Sequence, residues 1–307
     1  MRCPWPVVAA VSLALTGPAA AQDCYPAPGS NEAEIFAILS VPLAFSAAGP
    51  VGALPQGAVR GGLEIAAIPA IDSKTATPLT CRPGKGPENT NLLPVLPRPR
   101  VSVGLPGGFE FEASWIPPLR LRQTKANLFG IALGRRFPVR RSVALTVRGH
   151  ATLGTVRGPF TCPDAALADS TSECFGGQRS DDGYQPNIVG ADVAAAWVAG
   201  RRLHLFLGGG YNVLRPRFQV NFINSVGDTD NRQVFVNLSR AVVFGGVTWS
   251  ANARTSVSGE AYVAPKDALT VRLTVRLAAA AGPSGRSGRR LMAVPSRSRP
   301  LTLSPQP

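Results

Sequence analysis

Eleven ionisable side chains are each flanked by apolar neighbours: Glu64, Arg100, Glu110, Glu112, Arg148, His150, Asp192, His204, Glu260, Arg272 and Arg276. Imidazole next to a carboxylate or hydroxyl can take a proton, so His150 with Asp192 or a nearby serine is the arrangement to weigh for catalysis. A lone histidine between apolar residues is more often a hydrogen-bonded polar group, and we assign no catalytic residue. The run FLGGGYN has glycines but neither the lysine nor the following helix of a phosphate loop. VGDTDN, Val226 to Asn231, is acidic but lacks the spacing and terminal Glu of a calcium loop. Cys24, Cys81, Cys162 and Cys174 have no zinc-ribbon spacing, and both histidines sit far from them. No metal or cofactor site is expected.

These charges share one parity of a repeated alternation. In RRSVALTVRGHATLGTVRG, Val143, Leu145, Val147, Gly149, Ala151 and Leu153 alternate with Ser142, Ala144, Thr146, Arg148, His150 and Thr152. Period two means a strand with unlike faces. The same pattern recurs in RGGLEIAAIPA, PRVSVGL, GGFEFEASWIP, NIVGADVAAAWVAG, RRLHLFLGGGYNVL, RTSVSGEAYVA and DALTVRLTVRLA. KANLFGIALGRRF is apolar on both parities and fits less well. The run RQVFVNLSRAVVFGGVTWSA, read as one strand, brings the count to ten. Short links at Pro106–Gly108, Pro138–Arg140, Gly200–Arg202 and Asn252–Arg254 suit hairpins. Longer links separate them: Ala70 to Arg98, Pro117 to Gln123, Pro159 to Pro186 and Pro216 to Asn231. Pro265 to Lys266 is short.

Several of these strands exceed ten residues, longer than is usual in a soluble sandwich and suited to a tilted membrane strand. The apolar parity holds almost no charge, and an arginine there would cost roughly 2 to 4 kcal/mol in mid-bilayer. Trp115, Phe137, Trp197, Tyr211, Trp249 and Tyr262 fall near strand ends, where interface girdles lie. The expectation is an all-β, antiparallel transmembrane barrel of about ten strands, in a range of 8–12, with the eleven charges facing the lumen. An exported soluble domain of two stacked sheets is the alternative. On the strength of GGFEFEASW, SVALTVRGHATLG, ALTVRLTVRLA and the turn and loop asymmetry, the chain resembles bacterial outer-membrane β-barrel proteins from Gly61 to Ala279. It departs from them where the last strand runs into Leu277 and a basic tail instead of a final aromatic residue.

The ends divide the chain. Arg2, the apolar Val7 to Gly17 and the small residues up to Ala21 read as a signal peptide over 1–21. Residues 22–58 form an N-terminal segment, with a short helix from about Glu32 to Ser40 that either plugs a lumen or is an ordinary buried helix. Residues 59–279 form the barrel, and 280–307 a basic, disordered tail. Four cysteines in an exported chain suggest disulfides. Three pairings exist; Cys162 with Cys174 staples one polar stretch and leaves Cys24 for Cys81. That second bond requires the N-terminal segment to thread the lumen, or the first strand to leave the wall. The formal charge is +14, but export and dispersed arginines argue against nucleic acid. The expected partner is outer-membrane lipid of a Gram-negative-type bacterium. Small solutes could cross, and the tail could meet anionic head groups or cell-wall polymer. The role is either a narrow passive channel or a structural or adhesion protein with a packed lumen.

Overall fold

The computed structural model describes residues 22–49, 54–121 and 123–279. The leader over 1–21 and the tail over 280–307 lie outside them. Ten strands form the wall: β1 (Val59–Ala67), β2 (Val95–Gly104), β3 (Phe109–Ile116), β4 (Thr124–Arg140), β5 (Val143–Gly158), β6 (Ile188–Val198), β7 (Leu203–Leu214), β8 (Leu238–Ser250), β9 (Thr255–Ala264) and β10 (Ala268–Ala278). Each pairs antiparallel with the next in the chain. β10 then pairs with β1, from Arg272↔Ala66 to Ala278↔Arg60. The sheet therefore closes into a ring, interrupted only where β2 runs beyond its pairing with β3, and the stacked-sheet alternative is set aside.

Three boundaries differ from those read in the sequence. The Gln233-to-Ala251 run is two elements: Gln233–Phe235 pairs with Asp23–Cys24 and Arg217–Gln219 above the barrel, and only β8 joins the wall. The count stays at ten. The link expected to end at Arg98 ends earlier, because β2 already begins at Val95 and carries Pro97 and Pro99 inside it. β4 also runs through Pro138 to Arg140, so its hairpin turns at Arg141 and Ser142. The β2–β3, β4–β5, β6–β7 and β8–β9 turns lie at one end of the barrel; the longer links lie at the other, together with the short β9–β10 turn at Pro265 to Asp267.

The inner face of β4 explains its lack of polar alternation. Ala126, Leu128, Gly130 and Ala132 point inward and are buried; Ala126 shares an apolar cavity with Leu39 and Leu43 of the N-terminal segment, and Gly130 lies beside Phe45. At Gly130 a Cβ would stand 2.7 Å from the Phe45 ring, so only glycine lets that ring sit against the wall.

The helix α1 (Asn31–Leu43) lies within this ring. Ser30 caps it, its hydroxyl accepting from Ala33 N (3.2 Å). It is apolar nearly all round and buried on ten of its thirteen residues, as a helix enclosed on every side must be. Pro42 stands in its last turn and has no N–H to give the carbonyl of Ile38, so it helps to end the helix at Leu43.

Candidate functional site

The segment from Asp23 to Gly57 enters at the loop end and leaves at the turn end. At the loop end Asp23–Cys24 pairs parallel with Gln233 and Val234, and Cys24 is bonded to Cys81. At the turn end Gly57 N donates to Gly104 O (2.8 Å), and β1 begins two residues later. With β1 in the wall and the Cys24–Cys81 bond formed, the N-terminal segment threads the lumen. The second disulfide joins Cys162 to Cys174 within one loop.

Wall side chains hold this thread by its backbone. The last carbonyls of a helix lack partners within it. Here Arg272 donates to Val41 O (2.7 Å), and Arg98 to Pro42 O (3.3 Å), Leu43 O (2.9 Å) and Ala44 O (3.4 Å). Thr152 Oγ1 also donates to Leu43 O (3.1 Å). Beyond the helix, Arg148 donates to Phe45 O (3.1 Å), Arg100 to Ser46 O (2.5 Å) and Arg276 to Ala47 O (2.5 Å). Seven consecutive carbonyls are thus met by five guanidinium groups from three strands, β2, β5 and β10. Ala48 N in turn donates to Glu260 (3.0 Å). The Phe45 ring lies under Arg100, with the guanidinium carbon 4.3 Å from its centroid.

Each arginine also answers a carboxylate. Arg98 and Arg100 share Glu64, the former at 3.5 Å. Arg100 reaches Glu112 (3.0 Å), and Arg276 reaches it from the other side (3.7 Å). Arg148 holds Asp192 through two nitrogens (2.6 and 3.1 Å), and Arg272 faces Glu260 (3.5 Å). Glu110 is buried in the same face. The five arginines and five carboxylates balance. A guanidinium carries five donors, so each can pair with an acid and still reach the thread; a lysine offers no such fork.

Of the eleven residues singled out in the sequence, ten are buried on the inner face. His150 lies 3.5 Å from Asp192, whose carboxylate is already held by Arg148, and both are buried. His204 stands apart, on the wall of a vestibule of about 450 Å³ at the turn end, with Arg60, Arg136 and Arg254. Tyr262 is corrected: it is not a girdle residue but lies inside, 2% exposed, bonded by Asn212 Nδ2 (2.8 Å) and stacked on Phe244. Arg98 was missed. It shares Arg100's parity, which was the available signal, but the two flanking prolines read as loop.

A second polar centre ties the loops together. Arg82, 2% exposed, pairs with Glu88, Glu173 and, at 3.8 Å, Asp230, three residues of three different links. Burial pulls its pKa down, but these carboxylates hold it above its ordinary value. Burial pushes the Glu88 carboxyl up to about 7 against the pull of Arg82, and Asp182 adds to the rise. Burial likewise raises Asp182, which accepts from Thr161 N (2.7 Å) and Asn221 N (2.8 Å). Among the described residues no group of His, Cys, Asp and Glu is arranged to hold a metal ion.

No family model and no curated protein matches the chain. Three solved structures are similar to it in part. The attachment invasion locus protein Ail of Yersinia pestis is 7% identical, over 73% of this chain and 98% of Ail, with a TM-score of 0.29. The toluene transporter TodX of Pseudomonas putida is 10% identical, over 79% and 71%, with a TM-score of 0.33. The toluene transporter TbuX of Ralstonia pickettii is 10% identical, over 78% and 75%, with a TM-score of 0.32. Values this low leave the architecture to be read from the chain's own strand pairing.

Proposed function

We propose that this chain is an outer-membrane barrel of a Gram-negative-type bacterium, with a lumen sealed by its own N-terminal segment and a structural role. It anchors a stapled cap of loops at the cell surface. The location is supported by the outer face. Ile131, Leu133, Val147, Val193 and Leu273 are each about half exposed, and such side chains recur round the whole ring. A continuous apolar belt of this kind does not suit water, whereas closure of the ring pairs the strand backbone everywhere but beside the loop end of β2.

The observation that carries the sealed-lumen reading is the run of carbonyls from Val41 to Ala47, each bonded by a wall arginine. A solute crossing the barrel would have to displace them all. The measurement is conductance in planar bilayers. The intact protein is expected to be silent, and a refolded barrel lacking residues 22–49 to give ohmic steps. Steps of a stable size from the intact protein would overturn the reading. A narrow channel for small solutes is the second reading, favoured by the vestibule at the turn end, which reaches inward as far as Thr248 and Arg276.

A further inference from the structure

The wall has a seam beside the loop end of β2. Ile68 N donates to Pro94 O (3.0 Å) and Gly104 N to Ala58 O (2.9 Å). The even-numbered residues of β2 therefore carry its ladder to β1, and the odd-numbered ones turn their amides toward β3. Two of those are Pro97 and Pro99, which have no N–H to give. The β2–β3 pairing stops at Arg100↔Ser114, leaving residues 95–99 without a partner on that side. β3 ends at Ile116, and Pro118 and Leu119 beyond it are exposed.

Behind the seam lies a cavity of about 60 Å³. It reaches from Leu96 on β2 to Ala126 on β4, the strands flanking the missing top of β3, and Leu39, Leu43 and Leu92 close it from within. At roughly 10–15 Å³ per water, it has room for the end of a hydrocarbon chain and not for a whole lipid. The outer rim of the same seam is cationic. Arg120 stands opposite Lys125, and Lys125 opposite Arg157; all three are exposed. Like charges directly opposite repel. The carboxylate 3.2 Å from Arg157, that of Asp181, is itself 60% exposed and screened by water. Just below, Trp115 stacks on Phe129 (5.9 Å) and donates to Asn127 Oδ1 (3.1 Å), as a side chain at a membrane interface does.

We propose that this rim is a binding site for one anionic lipid of the surrounding leaflet. Its phosphate rests on Arg120, Lys125 and Arg157, and the end of one acyl chain passes through the seam into the cavity. An anion relieves the repulsion along the row, and a chain end fills apolar space that β3 leaves open. The site rests on the membrane reading above.

The test uses tryptophan quenching by chain-brominated lipids in phosphatidylcholine vesicles. One protein keeps Trp115 as its sole tryptophan after residue 21, through Trp197→Phe and Trp249→Phe; a control keeps only Trp249, at the turn end. Brominated phosphatidylglycerol is expected to quench Trp115 several-fold more than brominated phosphatidylcholine, with no such preference at Trp249. The exposed triple variant R120Q/K125Q/R157Q is expected to lose the preference, and the cavity-filling Ala126→Phe to weaken it. Equal quenching of Trp115 by both lipids, with Trp249 quenched normally, overturns the site and leaves the barrel in the membrane. Absence of quenching at both positions overturns the membrane reading itself. A preference that survives the triple variant overturns the cationic row. A preference abolished by inorganic phosphate yet untouched by Ala126→Phe overturns the acyl-chain half.

Discussion

At the scale of single residues, the lumen depends on charge pairs that cannot lose one member. Arg148 is 2% exposed and Asp192 5%. Arg148→Gln would leave a buried carboxylate beside His150 alone, which costs about 3–5 kcal/mol. The urea midpoint of the folded, heat-modifiable band should fall accordingly. Replacing both partners by apolar residues, R148M with D192L, should recover most of that loss, because no uncompensated charge remains. Glu88 sets a different dependence. Its folded pKa, about 7, is raised above the unfolded value. Its contribution is complete below the unfolded pKa and is lost as pH rises through 7. Limited proteolysis of the cap should therefore quicken between pH 5 and pH 8. Glu88→Gln should flatten most of that rise, with the remainder due to Asp182, whose carboxyl is raised in the same direction.

At the scale of elements, the thread and β4 are fitted to each other. Gly130→Leu would drive a side chain into the space of the Phe45 ring, an overpacking that costs about 1–3 kcal/mol. Its expected signature is a lower unfolding midpoint together with conductance steps absent from the parent protein. The thread is fixed at both ends, by β1 below and by Cys24–Cys81 above, the cysteines standing 57 positions apart. Loop-closure entropy for that span gives about 4 kcal/mol. The pair C24S/C81S should lose stability on that order, and dithiothreitol on the parent protein, which opens Cys162–Cys174 as well, should cost at least as much.

At the scale of the whole molecule, outward and inward faces answer to different media. Leu133→Arg places a charge in the outer belt and should cost roughly 2–4 kcal/mol when the barrel folds into vesicles. The measurement is the urea titration of refolding in lipid. An unchanged midpoint would contradict the lipid-facing assignment.

Period-two alternation determined the all-β class, the face on which the charges lie and the strand number, because side-chain direction along a strand is a local property. The helix was legible too, at Glu32 to Ser40 within the observed Asn31–Leu43. The sequence left undecided what the arginines hold. Arg98 and Arg100 look alike in a strand pattern, and their hydrogen bonds to Pro42, Leu43, Ala44 and Ser46 join groups more than fifty residues apart. Pro97 and Pro99 argue for a loop by local propensity. Only the tertiary arrangement gives them a place in a strand, on an edge where no neighbour asks for their N–H. Whether the N-terminal segment fills the ring was likewise settled by closure. A ring has an inside, and a chain tied to one rim and continuing as wall from the other must pass through it.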